Sequence, residues 1–169
     1  MRLRRTLLLL AITLPIAVTS SAQHKTGTAQ KQSASAESDI RSTLEQLYAA
    51  WSNLDPAKTA PFYAKDPDLT FFDVAPMKYS GWSEYAAGVS KAFAGYRSGK
   101  FTLNDDLRVH RQDKLAWATA TWRAELTRRD GAANEHLEGR YTAVLEKRGT
   151  RWLIVHEHMS APLGGEQKK

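Results

Sequence analysis

Near its carboxyl end the chain reads Arg-Trp-Leu-Ile-Val-His-Glu-His-Met-Ser, residues 151–160, so that two of its five histidines, His156 and His158, bracket Glu157. Imidazoles and carboxylates are the usual proton carriers and metal ligands of proteins, which makes this triplet the first place to look for chemistry. On a β-strand, side chains alternate between faces, so His156 and His158 point one way and Glu157 the other. The chemistry open to the segment depends on which face is inside. His-x-His gives a real metal-ligand spacing but needs a further ligand. Neither His110, His136 nor His24 is brought beside the pair by any pattern, so no metal site is expected. An inward Glu157 is instead a desolvated carboxylate, whose pKa rises toward neutrality, as a general acid or base requires. The same burial is met when a carboxylate is held for structure by a hydrogen bond or an ion pair.

The turn before this strand decides the matter. "KRGT", residues 147–150, connects it to a preceding strand at about Glu138 to Glu146, in which Tyr141, Ala143 and Leu145 are the inward set. A three-residue loop ending at Gly149 pairs odd with odd positions, turning Leu153, Val155, Glu157 and Met159 inward. Trp152, Ile154, His156 and His158 then occupy the opposite side. A two-residue loop at Arg148-Gly149 reverses both sets. The first register is the reading adopted, and it makes Glu157 the principal candidate for a catalytic carboxylate.

Asp105 is the second candidate, an acid between the apolar Leu103 and Leu107; a β-bulge at Asp105-Asp106 would turn it outward. Asp73, ending a short strand, either reaches a pocket rim or caps a turn. Tyr48, Trp51, Phe62, Tyr63, Phe71, Trp122, Tyr141 and Met159 are the expected lining of a ligand pocket, although aromatic residues at these periods also serve simply as core. No serine lies in a strand–turn–helix elbow, and neither a phosphate-cradling glycine loop nor a dinucleotide fingerprint is present, so no cofactor is expected.

The elements that must position these residues begin after a leader. "MRLRR" is a basic start, "TLLLLAITLPIAV" an apolar run, and Ser20 and Ala22 offer small side chains for cleavage after residue 22. The run is short for a membrane span, which takes roughly 20 residues. A secreted or periplasmic protein with no membrane attachment after cleavage is expected, with an uncleaved amino-terminal anchor as the rival. The full chain carries a net charge of +6, and loss of Arg2, Arg4 and Arg5 with the leader leaves 21 basic against 18 acidic side chains, or +3. That excess is not clustered, so no nucleic-acid partner is expected. With no cysteine, stability must come from a packed core rather than disulfides.

Residues 23–37, rich in Ser, Thr, Ala and Gln, read as a flexible linker, 38–163 as one domain, and 164–169 as a frayed tail. The domain opens with a helix capped at Ser38 or Asp39, in which Ile40, Leu44, Leu47, Tyr48 and Trp51 form one stripe. Asp55-Pro56 starts a second, short helix, "LTFFD" (69–73) is a short strand, and Trp82 to about Tyr96 is a third helix with Ala86, Val89 and Phe93 on one face. From residue 101 the period changes to two. Phe101, Leu103, Leu107 and Val109 are apolar at odd positions, and Ala116, Ala118, Ala120, Trp122, Ala124 and Leu126 at even ones. A tight turn at Asp113-Lys114 puts both sets on one face.

Three amino-terminal helices packed on a strongly curved antiparallel sheet make an α+β fold. This layout, the glycine-led helix "YSGWSEYAAGVSKAF" and the ending "RYTAVLEKRGTRWLIVHEHMSAP" together resemble the SnoaL-like branch of the nuclear transport factor 2-like superfamily. The ending is also similar to the association domain of calcium/calmodulin-dependent kinase II. The resemblance covers about residues 38–163. It implies a cone-shaped domain, a pocket between helices and concave sheet, and a homodimer formed through the sheet. In the kinase domain an arginine that holds ligand carboxylates follows the second histidine; here that position is Met159, so acidic-ligand binding of that kind is not implied. Binding of a small, largely apolar molecule is the function expected. Isomerase, cyclase or hydrolase chemistry through Glu157 or Asp105, and assembly without chemistry, are the alternatives, since one fold hosts many functions.

Overall fold

The computed structural model describes residues 22–74 and 76–162, with side chains from residue 34 onward. All but the last residue of the expected leader, and the expected tail at 164–169, lie outside the described residues. Helix α1 runs Ala22–Trp51. Ile40, Leu44 and Leu47 are fully buried, with Tyr48 and Trp51 beside them, so the apolar stripe packs as its period requires. The helix starts far earlier than a cap at Ser38 or Asp39, and the segment read as a linker, 23–37, is helical. That stretch has no proline and many good helix formers, and a helix nucleated by its packed end extends at little further cost. Ala36 also reaches the core, adding a turn to the stripe.

Asp55 caps α2, Pro56–Thr59, by accepting the Ala57 N–H at 2.9 Å, with Pro56 at the first helical position. A 3₁₀ turn, Ala60–Phe62, delivers Tyr63 against the last strand, where Ala64 N–H donates to the Ile154 carbonyl at 2.9 Å. Strands β1, Thr70–Phe72, and β2, Tyr79–Ser80, lead into α3, Gly81–Phe93. This helix ends short of the expected Tyr96, which instead opens β3, Tyr96–Leu103. Its buried face centres on Tyr85 and Val89, with Ala86 and Phe93 at the margins.

The remaining strands are β4, Arg108–Gln112; β5, Leu115–Arg128; β6, Glu135–Arg148; and β7, Arg151–Ser160. They form a curved, open sheet in the order β2-β1-β7-β6-β5-β3, with β4 also on β5. The sheet is mixed rather than wholly antiparallel, because β1 runs parallel to β7, with Phe71 opposite Glu157. The expected turn at Asp113-Lys114 is present, pairing Gln112 with Leu115, and β5 alternates strictly, every even position from Ala116 to Leu126 being buried.

The last hairpin departs from expectation in an instructive way. Its loop has two residues, Gly149 and Thr150, with Gly149 at a φ of 62° and Arg148 paired to Arg151. Near the turn, odd positions therefore pair with even ones, as Leu145 with Ile154. Trp152 and Ile154, expected outside, are buried, and Leu153 is not. A β-bulge then intervenes: Val144 pairs with His156, which leaves Val155 as the extra residue. Beyond it odd pairs with odd, Ala143 with Glu157 and Tyr141 with Met159. Glu157 thus faces inward, while His156 is half-buried and His158 exposed on the other face.

Gly139, opposite Trp122 on β5, lets the indole lie on the β6 backbone; an added Cβ there would fall 2.7 Å from Trp122 Nε1 and also overlap the Ser160 carbonyl oxygen. Gly139→Ala should therefore lower unfolding stability by ~1–3 kcal/mol, read as a reduced urea midpoint followed by tryptophan fluorescence.

Candidate functional site

Four elements converge on Glu157. It projects from β7 beyond the bulge and is 1 % exposed. Tyr63, placed by the 3₁₀ turn, donates its hydroxyl to the carboxylate at 3.0 and 2.9 Å from Oε1 and Oε2. Tyr85, from α3, donates to Oε1 in a short hydrogen bond, and Tyr141, from β6, donates to Oε2 at 3.3 Å. Among the described residues no cation forms an ion pair with it; the ion pairs there involve Arg128, Arg148 and His136. Burial of the charge pushes the carboxyl up to about 7, against the pull of the three phenols, and the nearby Asp73 adds to the rise. Burial and the Glu157 charge hold the Tyr48, Tyr63, Tyr85 and Tyr141 hydroxyls well above the ordinary tyrosine value, so these phenols stay neutral, and the last three donate to Glu157.

Glu157 does not open directly onto the cavity next to it. Tyr85 touches both, forming part of a wall between the acid and a cavity of about 210 Å³. The cavity lies between α1, α3 and the sheet, with walls from Trp51, Val89, Phe93, Phe101 and Trp122, among others. The Tyr85 and Tyr96 hydroxyls at this surface are engaged by Glu157 and Glu135, which leaves two further polar side chains in it. Tyr48 lines it, and its hydroxyl is buried with no hydrogen-bond partner among the described residues. Asp73 lines it as well, on the same side of the chain as Phe71 two residues before; its Oδ1 accepts the Val74 N–H at 2.7 Å, and burial raises its carboxyl. Asp73 thus lies at the cavity, and its bond to the next residue's N–H closes no turn. Val74, 50 % exposed, and Leu137, 40 % exposed, mark the open side.

Of the residues expected to line a pocket, Tyr48, Trp51, Trp122 and Met159 do so. Tyr63 and Tyr141 instead hold Glu157, and Phe71 stacks on Tyr85 with ring centroids 5.2 Å apart. Phe62 is only partly buried and stands outside the cavity wall. Asp105 is displaced from the site altogether: it is exposed in the turn between β3 and β4. Its neighbour Asp106 accepts both the Thr121 N–H and hydroxyl at 2.9 Å, fixing a turn that sends Asp105 to solvent. His156 Nδ1 lies 2.7 Å from the Thr70 carbonyl, and no cluster of three metal-binding side chains occurs among the described residues. The residue that sequence reasoning missed is Tyr85. It falls on the α3 stripe with Val89 and Phe93, at i, i+4 and i+8, a spacing that could have found it.

The raised Glu157 carboxyl has a signed consequence. The folded protein holds this proton between the ordinary carboxylate value of 4.5 and about 7, where the unfolded chain has released it. Stability from this group is therefore full below the lower value and falls as pH rises to the upper one, by ~3 kcal/mol for a shift of this size. Glu157→Gln should remove that decline, leaving the variant relatively more stable at pH 8 than at pH 5 when the two are compared by urea unfolding at both.

The SnoaL-like domain model matches residues 40–164. No curated protein sequence matches the chain. Among solved structures, a nuclear transport factor 2-like superfamily protein from Salmonella enterica serovar Typhimurium superposes with a TM-score of 0.72 at 22 % identity, covering 81 % of this chain and 99 % of that one. A Xanthomonas campestris protein named for the calcium/calmodulin-dependent kinase II association domain gives 0.64 at 24 % identity, covering 75 % and 87 %. A Novosphingobium aromaticivorans protein named for scytalone dehydratase gives 0.66 at 11 %, covering 83 % and 89 %. These likenesses carry the fold, and the match over most of the chain carries the family: the protein belongs to the SnoaL-like domain family, with a nuclear transport factor 2-like α+β fold.

Proposed function

We propose that this domain binds a small, largely apolar molecule in the cavity between α1, α3 and the sheet. The observation that carries the reading is an apolar, aromatic-walled space containing an unpartnered phenol, Tyr48, and a carboxylate, Asp73. A few convergent polar groups in an apolar wall are what ligand sites usually offer. At about 210 Å³ the cavity is below the ~300 Å³ at which drug-sized sites begin, so the molecule is of single-ring size. Catalysis is the second reading, favoured by the buried, proton-holding Glu157 carboxyl behind the Tyr85 ring, which would have to turn aside for a bound carbonyl or hydroxyl group to reach the acid. Ala92 lines the cavity from an exposed position on α3, so Ala92→Trp can fill space with little harm to the core. Titration with single-ring alcohols should give binding that this variant weakens at least tenfold; unchanged affinity would refute the cavity as the site. Conversion of the bound compound that Glu157→Gln abolishes, without loss of binding, would mark an enzyme.

Export and dimerisation complete the proposal. Export is supported by the basic start, apolar run and small residues up to Ala22. A homodimer through the outer sheet face is supported by Leu115 and Trp117, 52 % and 44 % exposed on β5. Trp152, buried, is no part of such an interface. Full-length protein expressed in a bacterial host should be recovered outside the cytoplasm without residues 1–22 and sediment at twice its chain mass, with Trp117→Glu restoring the monomer. An uncleaved mass contradicts export, and a wild-type monomer contradicts the dimer.

A further inference from the structure

We propose that the cavity selects a compact organic cation, a protonated amine on an apolar body. The inference deepens the ligand-binding reading and rests on it. Its first support is the charge inventory. Among the described residues, Asp73 is the only acidic or basic side chain lining the cavity; no lysine, arginine or histidine of these does. Asp73 Oδ1 is taken by the Val74 N–H, and Oδ2 has no partner among the described residues. A second carboxylate, Glu157, lies immediately behind the Tyr85 wall, close enough to Asp73 for their charges to act on each other. Neither acid has a cationic partner among the described residues. Arg128, whose guanidinium is 5.8 Å from the Tyr96 ring at the cavity edge, is engaged by Asp130 and Glu135 at 2.9 and 2.8 Å. Lys65 lies over Trp82, 3.5 Å from the ring centroid, and neither residue lines the cavity.

The second support is the wall. Trp51, Tyr85, Phe93, Phe101 and Trp122 line it with aromatic rings, and a cation lying over an aromatic face is attracted by the ring's electron density. Acid and rings therefore favour the same sign of ligand charge. An anionic ligand would enter a space with two carboxylates nearby and no counter-charge, and a desolvated like-charge contact is strongly unfavourable. A neutral ligand would pair Asp73 less well. An ammonium group is accommodated by Asp73 Oδ2, and the unpartnered Tyr48 hydroxyl can accept a further N–H from a ligand that reaches it.

A matched series separates charge selection from cavity binding. Calorimetric titration of the full domain at pH 7.5 would use 2-phenylethylamine, 2-phenylethanol and phenylacetate, which share a ring and chain but carry a positive charge, none and a negative charge. The amine should bind at least tenfold more tightly than the alcohol, with phenylacetate weakest. Asp73→Asn should erase the amine's advantage over the alcohol. Ala92→Trp should weaken amine and alcohol together. Alcohol binding equal to or tighter than amine binding, or an amine preference that survives Asp73→Asn, would overturn the cation proposal while leaving the cavity reading intact. Absence of binding by all three, or amine binding indifferent to Ala92→Trp, would overturn both.

Discussion

Burying a carboxylate with no cationic partner among the described residues is the constraint around which this molecule is arranged. Glu157 can remain inside only if hydrogen-bond donors replace the water it loses, and three phenols do so from three separate elements. Tyr63 ties in the 3₁₀ turn, Tyr85 ties in α3, and Tyr141 ties β6 to β7 across the hairpin. The same rings pack against one another: Tyr63 meets Phe71 edge-on at 5.7 Å and Tyr85 at the same distance, while Tyr48 meets Tyr141 at 5.4 Å. A polar requirement and an apolar one are therefore met by the same residues, and helix placement on the sheet follows from both.

The cavity is the other side of that arrangement. Because Tyr85 spends its hydroxyl on Glu157, it offers the cavity its ring rather than its oxygen, and the polar groups left to meet a ligand are Asp73 and Tyr48. β1 brings Asp73 there: its parallel pairing with β7 sets Phe71 opposite Glu157, and the pleat returns Asp73 to the same side two residues later. A strand of three residues thus links the buried acid to the ligand space.

Much of the fold was legible because it is periodic. The α1 stripe, the even positions of β5 and the Asp113-Lys114 turn each follow from residue spacing, and in each the structure agrees. What spacing could not express were interruptions. The turn at Asp105-Asp106 splits what reads as one strand into β3 and β4, and it depends on Asp106 bonding to Thr121, a partner fifteen residues away. The parallel pairing of β1 with β7 leaves no trace in either strand alone. The helical start at Ala22 follows from extension of a packed helix, whereas a reading by composition weighs only the polarity of residues 23–37. At the site, the alternation found Glu157, and the aromatic inventory found its partners Tyr63 and Tyr141 without distinguishing them from lining. Tyr85 was overlooked because the α3 face was read through Ala86, Val89 and Phe93, and Ala86 lies one position round from it.

The bulge at Val155 gives β7 two phases within one strand. From the turn to Ile154 the even residues are core, and from Glu157 onward the odd ones are. An alignment that treats the strand as a single alternating unit will match one half and misplace the other. Were the strand regular at the same length, with no bulge at Val155, His156 rather than Glu157 would fall opposite Ala143 and face the centre of the domain, while the turn-proximal packing stayed as it is. The bulge is therefore a choice of interior chemistry, and relatives of equal length with and without it are to be compared as carrying different buried groups, however alike their flanking sequences.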